Sequence, residues 1–298
     1  MGKITSLIEF NGSVGNLVGY KGRDGRNIVR HKIANPRNAQ SILQMRRRVA
    51  WANLVNIWGA VTQYMHPSFN NKPDGMTDFN AFMSANVDVS PVFLAKSEAR
   101  KGYCIVSPVM LTDGELDPIS VAMVSGGKMR SGLSVGDLVI DSETTIGAFS
   151  RAIMQNNLGW ENGDQLTGVA VYQMSADAQG TPRVSVIAQR VILDSASNDL
   201  LQDTLEADSG SADAMFSVTD GYLASKSTVN GGCCWIHSRR ENGKTIVSAQ
   251  SLVVNNNILS DFTTADAQKA AMKSYGVKAT YLTPVGNEYA ANSGNPMP

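Results

Sequence analysis

Residues 183–193 read RVSVIAQRVIL. Val184, Val186, Ala188 and Arg190 alternate with Ser185, Ile187, Gln189 and Val191, so an extended chain would send them to two opposite faces. The run is rich in β-branched residues and has no Gly or Pro, which predicts a strand. Working outward, residues 166–174 (LTGVAVYQM), opened by Gly163-Asp164-Gln165, read the same way, as do residues 232–238 and 244–254. Shorter strands are expected at 104–110, 119–124, 136–140 and 214–218, separated by clusters of Gly, Asp, Ser and Asn. This spacing predicts an antiparallel sandwich or jelly-roll-like body over residues 103–286. Two helices interrupt it. One covers 144–156, with Ile146, Phe149 and Ile153 on one side. The other covers 263–275, capped by Thr263 or Thr264 and stopped by Gly276. Residues 277–282 add a last strand, and the Asn/Gly/Pro-rich residues 287–298 are expected to form a flexible tail or an extended arm.

The first 102 residues read as a basic hairpin plus a helical region, giving a chain that is mainly β with some α. Residues 4–10 suit a short strand or an arm. Asn11-Gly12 is a two-residue hairpin signal. Residues 14–20 follow as a glycine-containing strand, residues 21–25 (KGRDG) as a turn, and residues 26–33 (RNIVRHKI) as the return strand. In that strand Ile28, Arg30 and Lys32 share one face, which is therefore largely cationic. Asn35-Pro36 signals a helix start. From there to about Met65 a long amphipathic helix is expected, with Leu43, Arg47, Ala50, Trp51, Leu54, Trp58, Val61 and Met65 on one stripe and Asn53 and Asn56 away from it. His66-Pro67 ends it. A second helix (TDFNAFMSAN) starts at the cap Thr77 and buries Phe79, Phe82 and Met83.

Charge divides along the chain. The 298 residues are neutral overall, but residues 1–60 hold ten Lys/Arg and two acids, net +8, which leaves the remaining residues at net −8. A basic N-terminal region facing a polyanion or the acidic body of a neighbouring copy follows from that asymmetry. The candidate contact residues are Lys21, Arg23, Arg26, Arg30, Lys32, Arg37, Arg46, Arg47 and Arg48. The consecutive Arg46, Arg47 and Arg48 fan around roughly 200° of a helix, too wide for one carboxylate surface. Trp51, Leu54 and Trp58 are assigned to core or subunit packing.

Other chemistries are poorly represented. Gly12, Gly15 and Gly19 do not match a dinucleotide fingerprint, and no phosphate-loop motif occurs. Asp113, Glu115 and Asp117 alternate in a turn but lack the spacing of a calcium loop. His31, His66 and His237 show no metal-ligand spacing. Cys233 and His237 invite a nucleophile–base pair, yet Cys233, Trp235 and His237 lie along one strand face with no third group to orient them. Residues 239–244 read as a charged hairpin turn. Cys104, Cys233 and Cys234 give no disulfide framework and suit a reducing compartment. Hydrophobic residues make up 43% and charged residues 17% of the chain, which argues against disorder. No apolar run approaches the roughly 18 residues of a membrane span, and residues 1–10 lack the apolar core of a signal peptide. The expectation is a non-enzymatic protein without cofactor, metal or membrane partner.

Residues 12–32 (GSVGNLVGYKGRDGRNIVRHK), residues 35–58 (NPRNAQSILQMRRRVAWANLVNIW) and residues 79–87 (FNAFMSANV) together resemble an uncharacterised family of proteins from gut bacteria and their phages. That family shows a glycine-rich "GKVGxxVGY" hairpin and an "NPxTxxQxxQRxxFA" helix start. Here Asn35-Pro36-Arg37 and Arg46-Arg47 to Ala50 match the second pattern, with Asn38 in place of its Thr. The resemblance implies no activity and no catalytic residues. It points to a phage virion structural protein, capsid-like and self-assembling, located in the virion and assembled in the host cytoplasm. The expected partners are copies of itself, other virion proteins and genomic nucleic acid bound without sequence preference. The alternative is an Ig-like β binding or adhesion module of a phage or gut bacterium, without nucleic-acid contact.

Overall fold

The computed structural model describes residues 2–3, 11–22, 25–33, 42–65, 67–89, 92–174, 183–205, 214–255 and 265–276. Of these, 34% are strand and 26% helix, and the sheets are antiparallel, so the chain is mainly β with some α. It divides into two compact units, residues 1–40 and residues 41–298. The boundary expected at residue 102 falls inside a shared core instead, because the helices before it and the strands after it bury one apolar cluster.

The first unit is a four-stranded sheet of β1 (Gly2–Lys3), β2 (Gly12–Val14), β3 (Leu17–Lys21) and β4 (Asn27–His31), in the order β1-β4-β3-β2. The first hairpin turn is not at Asn11-Gly12. Val14 pairs with Leu17, so the turn is Gly15-Asn16, and Gly15 supplies the positive φ (+57°) that a two-residue turn needs. The Gly22 and Gly25 amides close the next turn onto the Arg26 and Gly22 carbonyls. Residues 4–10 and the expected helix start at Asn35-Pro36 lie outside the described residues.

The second unit begins with α1 (Ile42–Val61) and α2 (Asp78–Asn86). Thr77 caps α2 as expected, its hydroxyl accepting from the Asn80 amide at 3.2 Å. After α3 (Lys96–Arg100) come β5 (Met110–Thr112), β6 (Val121–Met123), β7 (Met129–Ser134), α4 (Ile146–Asn156), β8 (Gln165–Met174), β9 (Arg183–Ile192) and α5 (Leu201–Thr204). The chain continues with β10 (Ser217–Thr219), β11 (Tyr222–Ala224), β12 (Gly231–Glu241), β13 (Lys244–Val247), β14 (Gln250–Ser251), β15 (Val253–Val254) and α6 (Ala265–Ser274).

The centre is the sheet β13-β12-β8-β9, with β15 also on β12. Its faces are both buried. One carries Val169, Val171, Val186, Ala188, Cys234 and Ile236 against Leu54, Ile57 and Val61 of α1 and Phe82 and Met83 of α2. The other carries Leu166, Ala170, Val191, Cys233 and Trp235 against a second sheet, β10-β11-β7-β6, and against Ile146, Phe149 and Ile153 of α4. The alternation expected for β9 and for residues 233–238 thus holds, and each face meets its own core.

Several expected elements differ. Residues 104–109 form no ladder. Their buried backbone is bonded by side chains instead: Asn53 exchanges two hydrogen bonds with Ile105 (3.0 and 2.8 Å), Asn86 does the same with Met110 (3.0 and 2.7 Å), and Asn56 donates to the Tyr103 carbonyl (2.6 Å). Amide side chains on helices therefore take the place of a neighbouring strand. Residues 136–140 turn rather than extend, and the strand there is β7, six residues earlier. Residues 244–254 break into three short strands. In α1 the buried face runs through Met45, Val49, Asn53, Leu54, Ile57 and Val61, while Arg47 and Trp51 are exposed. The expected stripe was thus rotated from the true one because Asn53, polar by type, is fully buried by its backbone partner. Among the described residues no helix is long and apolar enough to cross a membrane.

Candidate functional site

The expected contact residues fall in both units. In the N-terminal unit, Lys21, Arg26, Arg30 and Lys32 are all exposed, and Arg23 and Arg37 lie outside the described residues. The strand register puts Val18 and Tyr20 of β3 on the same face as Ile28 and Arg30 of β4. Arg30 lies over the Tyr20 ring, 5.5 Å from its centroid. This face is mixed cationic and aromatic rather than largely cationic. Val14, Leu17, Tyr20 and Ile33 are 63%, 44%, 36% and 65% exposed. Val14 and Leu17 share the face opposite to that of Tyr20 and Arg30, so both faces of the sheet carry exposed apolar side chains.

The three arginines of α1 do not form an open fan. Arg47 grips Asp88 through two hydrogen bonds, Nε to Oδ1 at 3.0 Å and Nη2 to Oδ2 at 3.2 Å. Arg46 and Arg48 are half-buried and already engaged. Leu54 is fully buried, and Trp58 packs on Phe79 and Phe82 with ring centroids 5.5 and 5.2 Å away. Trp51 stays 43% exposed and packs edge-to-face with Phe79, ring centroids 6.5 Å apart. The packing assignment therefore describes Leu54 and Trp58 well and Trp51 in part.

A separate constellation forms where β8 begins and β12 ends. Asp164, 2% exposed at its side chain, accepts from Arg239 Nε (2.7 Å), Arg239 Nη2 (2.8 Å), the Glu161 amide (2.9 Å) and His237 Nε2 (2.8 Å). Trp160 stacks on the His237 ring, with centroids 3.8 Å apart and planes 15° from parallel. Burial alone would push the Asp164 carboxyl up, but the Arg239, Glu161 and His237 bonds outweigh it and hold it below its ordinary value of 3.8. Burial pulls His237 below 6.5 against the opposing pull of Asp164. The imidazole is thus neutral at pH 7 and donates its Nε2 proton.

Of these bonds Oδ1 accepts one and Oδ2 accepts three, so the carboxylate is committed to Arg239, Glu161 and His237. Cys233, four residues along the strand from His237, is about 13 Å away at strand spacing, so the two form no nucleophile pair. Burial raises the Cys233 thiol well above 9.0 and pushes Cys104 and Cys234 up to about 12, which leaves all three unreactive. No group of three metal-binding side chains comes together among the described residues.

The Asp164 constellation was not visible in the sequence, because its members are joined by the pairing of Ser238 with Gln165 across 73 residues. The available signal was an Asp opening one strand and a His-x-Arg ending another. Comparison with protein-family models, with curated proteins and with solved structures found no match.

Proposed function

We propose that this chain is a non-enzymatic, capsid-like virion structural protein that assembles with copies of itself through its N-terminal unit. The observation that carries this reading is the contrast in charge and burial between the units. Residues 1–40 hold seven basic and two acidic residues, net +5, and the rest of the chain is net −5. The described strands of the small unit are two to five residues long and leave apolar side chains in solvent. A sheet of that kind gains most of its stability from a partner. Opposite charges on the two units favour a sister copy as that partner, and overall neutrality keeps long-range repulsion between copies small. The β body, with two antiparallel sheets facing one core, would form the wall of the assembly.

The virion setting rests on the resemblance of residues 12–58 to proteins of gut bacteria and their phages. In that setting Lys21, Arg26, Arg30 and Lys32 also suit sequence-independent, salt-sensitive contact with packaged nucleic acid. Negative-stain microscopy and sedimentation velocity of the full chain, with the 260/280 nm absorbance ratio before and after high salt, test the reading. Rings or large particles are expected. A monodisperse monomer at high concentration overturns it.

A further inference from the structure

One face of the body is already shaped to receive a cation. The loop before β6, residues 157–160 after α4, and the end of β12 enclose a cleft of about 380 Å³. Its two sides are committed differently. On one side Arg239 is held by Asp164, by the Gly159 carbonyl at 2.7 Å and by Glu161 at 3.6 Å, so its charge is consumed from behind. On the other side Glu115 and Asp117 are exposed and enter no salt bridge among the described residues. The cleft is lined by Glu115 and Asp117 against this one arginine, net −1, and the arginine is already paired with the buried Asp164.

Apolar surface lies directly beside this charge. Leu158 on the rim is 100% exposed. Trp160 is half-buried, one face stacked on the His237 ring, which is itself bonded to Asp164. An indole beside carboxylates binds a guanidinium or ammonium group, and an exposed leucine covers the aliphatic stem that carries it. This rim has the composition of a docking surface, and nucleic acid is the wrong partner for its sign of charge. The chain's own basic unit is the right one: net +5, with exposed cations set among exposed apolar residues.

We propose that the Trp160 cleft is the receptor for an arginine or lysine from the N-terminal sheet of a second copy. This rests on the self-assembly reading and adds the face of the body that it uses. The test is sedimentation velocity of the full chain over a concentration series, with nuclease-treated protein. Wild type is compared with Glu115→Lys/Asp117→Lys and, separately, with Leu158→Asp. All three positions are exposed, so the fold should persist, and a wild-type near-ultraviolet circular dichroism spectrum checks it. Each variant is expected to raise the concentration needed for assembly at least about tenfold, the 1.4 kcal/mol step. Arg30→Glu/Lys32→Glu, weak by itself, is expected to recover assembly when mixed with the Glu115→Lys/Asp117→Lys chain.

Wild-type assembly by the cleft variants overturns this inference and leaves self-assembly standing. A wild-type monomer at every concentration overturns both. Loss of assembly in the cleft variants without recovery by reversal at Lys21, Arg26, Arg30 or Lys32 overturns the assigned occupant. Particles that nuclease dissolves put a polyanion in its place and do the same.

Discussion

The central sheet and the N-terminal sheet are both antiparallel, yet they use their strands in opposite ways. In β8 residues 166–171 are all buried, and side chains on both faces enter a core. In the N-terminal sheet the ladders are complete over the described residues while nearly every side chain meets solvent. Antiparallel sheets commonly bury one face. The central sheet buries two because helices α1 and α2 cover what the second sheet does not. Hydrogen-bonded pairing is common to both regions, so burial is what separates them. Substitutions in the body should therefore cost stability, and substitutions in the N-terminal sheet should cost association.

The largest effect is expected at Gly231. A Cβ there would collide with the Val171 carbonyl oxygen and lie 2.8 Å from its carbonyl carbon and 2.9 Å from Tyr172 Cα, all backbone of the paired strand. No rotamer relieves a backbone clash. Gly231→Ala should lower unfolding free energy by on the order of 4 kcal/mol or prevent folding, measured by urea denaturation. A wild-type midpoint would mean that β8 and β12 pair more loosely than their register implies.

Asp164 comes next. Replacing it with Ala leaves the buried His237 and the half-buried Arg239 without their common acceptor, a loss of about 3 kcal/mol. The same group makes the body acid-sensitive. His237 is held below 6.5 in the folded chain, so on acidification the unfolded chain takes its proton first and stability falls as pH drops below that value. Asp164 is held below 3.8, so its contribution is present above 3.8 and is lost as pH falls from there through its lower folded value. Urea midpoints should thus decline in two steps, the first as pH falls below 6.5 and the second as it falls below 3.8. A midpoint that rises on acidification contradicts the assignment of a neutral His237.

The α1 face gives a smaller and more discriminating contrast. Leu54→Ala should cost about 2–5 kcal/mol, since the side chain is fully buried against the central sheet. Trp51→Ala should cost less, about 1 kcal/mol, because the indole is 43% exposed and its ring pair with Phe79 is the interaction lost. Equal costs would restore the stripe that the periodicity suggested.

What was legible in the sequence follows from the same physics. Strands β8, β9 and β12 could be read because alternating or clustered β-branched and apolar residues are bounded by Gly, Asp, Ser and Asn turn signals. Helix α2 could be read because Thr77 caps it through a hydroxyl that accepts from Asn80, and α4 because Ile146, Phe149 and Ile153 fall on one side; its cap Thr145, which accepts from Ala148, emerges only in the structure. The stretch 104–110 misled because its apolar residues are buried without a ladder until Met110 opens β5. Its partners are Asn53, Asn56 and Asn86, and nothing local announces that an asparagine will satisfy a backbone 24 to 52 residues away. Of the site, the exposed cations Lys21, Arg26, Arg30 and Lys32 were legible as charge. The Asp164–His237–Arg239 cluster was not, because it exists only once the β8–β12 register is fixed.

The smallest stability effect sharpens the comparison most. Val14 and Leu17 form a cross-strand pair in the N-terminal sheet, on either side of the Gly15-Asn16 turn, and both are exposed. Neither belongs to an apolar cluster of the body. Val14→Ser/Leu17→Ser should therefore leave the urea midpoint of the body within about 0.5 kcal/mol of wild type, while weakening assembly in sedimentation velocity. The double variant separates two causes that charge reversal alone would confound. If assembly depended only on the net +5 of this unit, removing uncharged side chains would leave it intact. If the exposed apolar pair is part of the contact, assembly weakens with every charge in place, and the residual interaction should then show the stronger salt dependence of a contact held by charge alone.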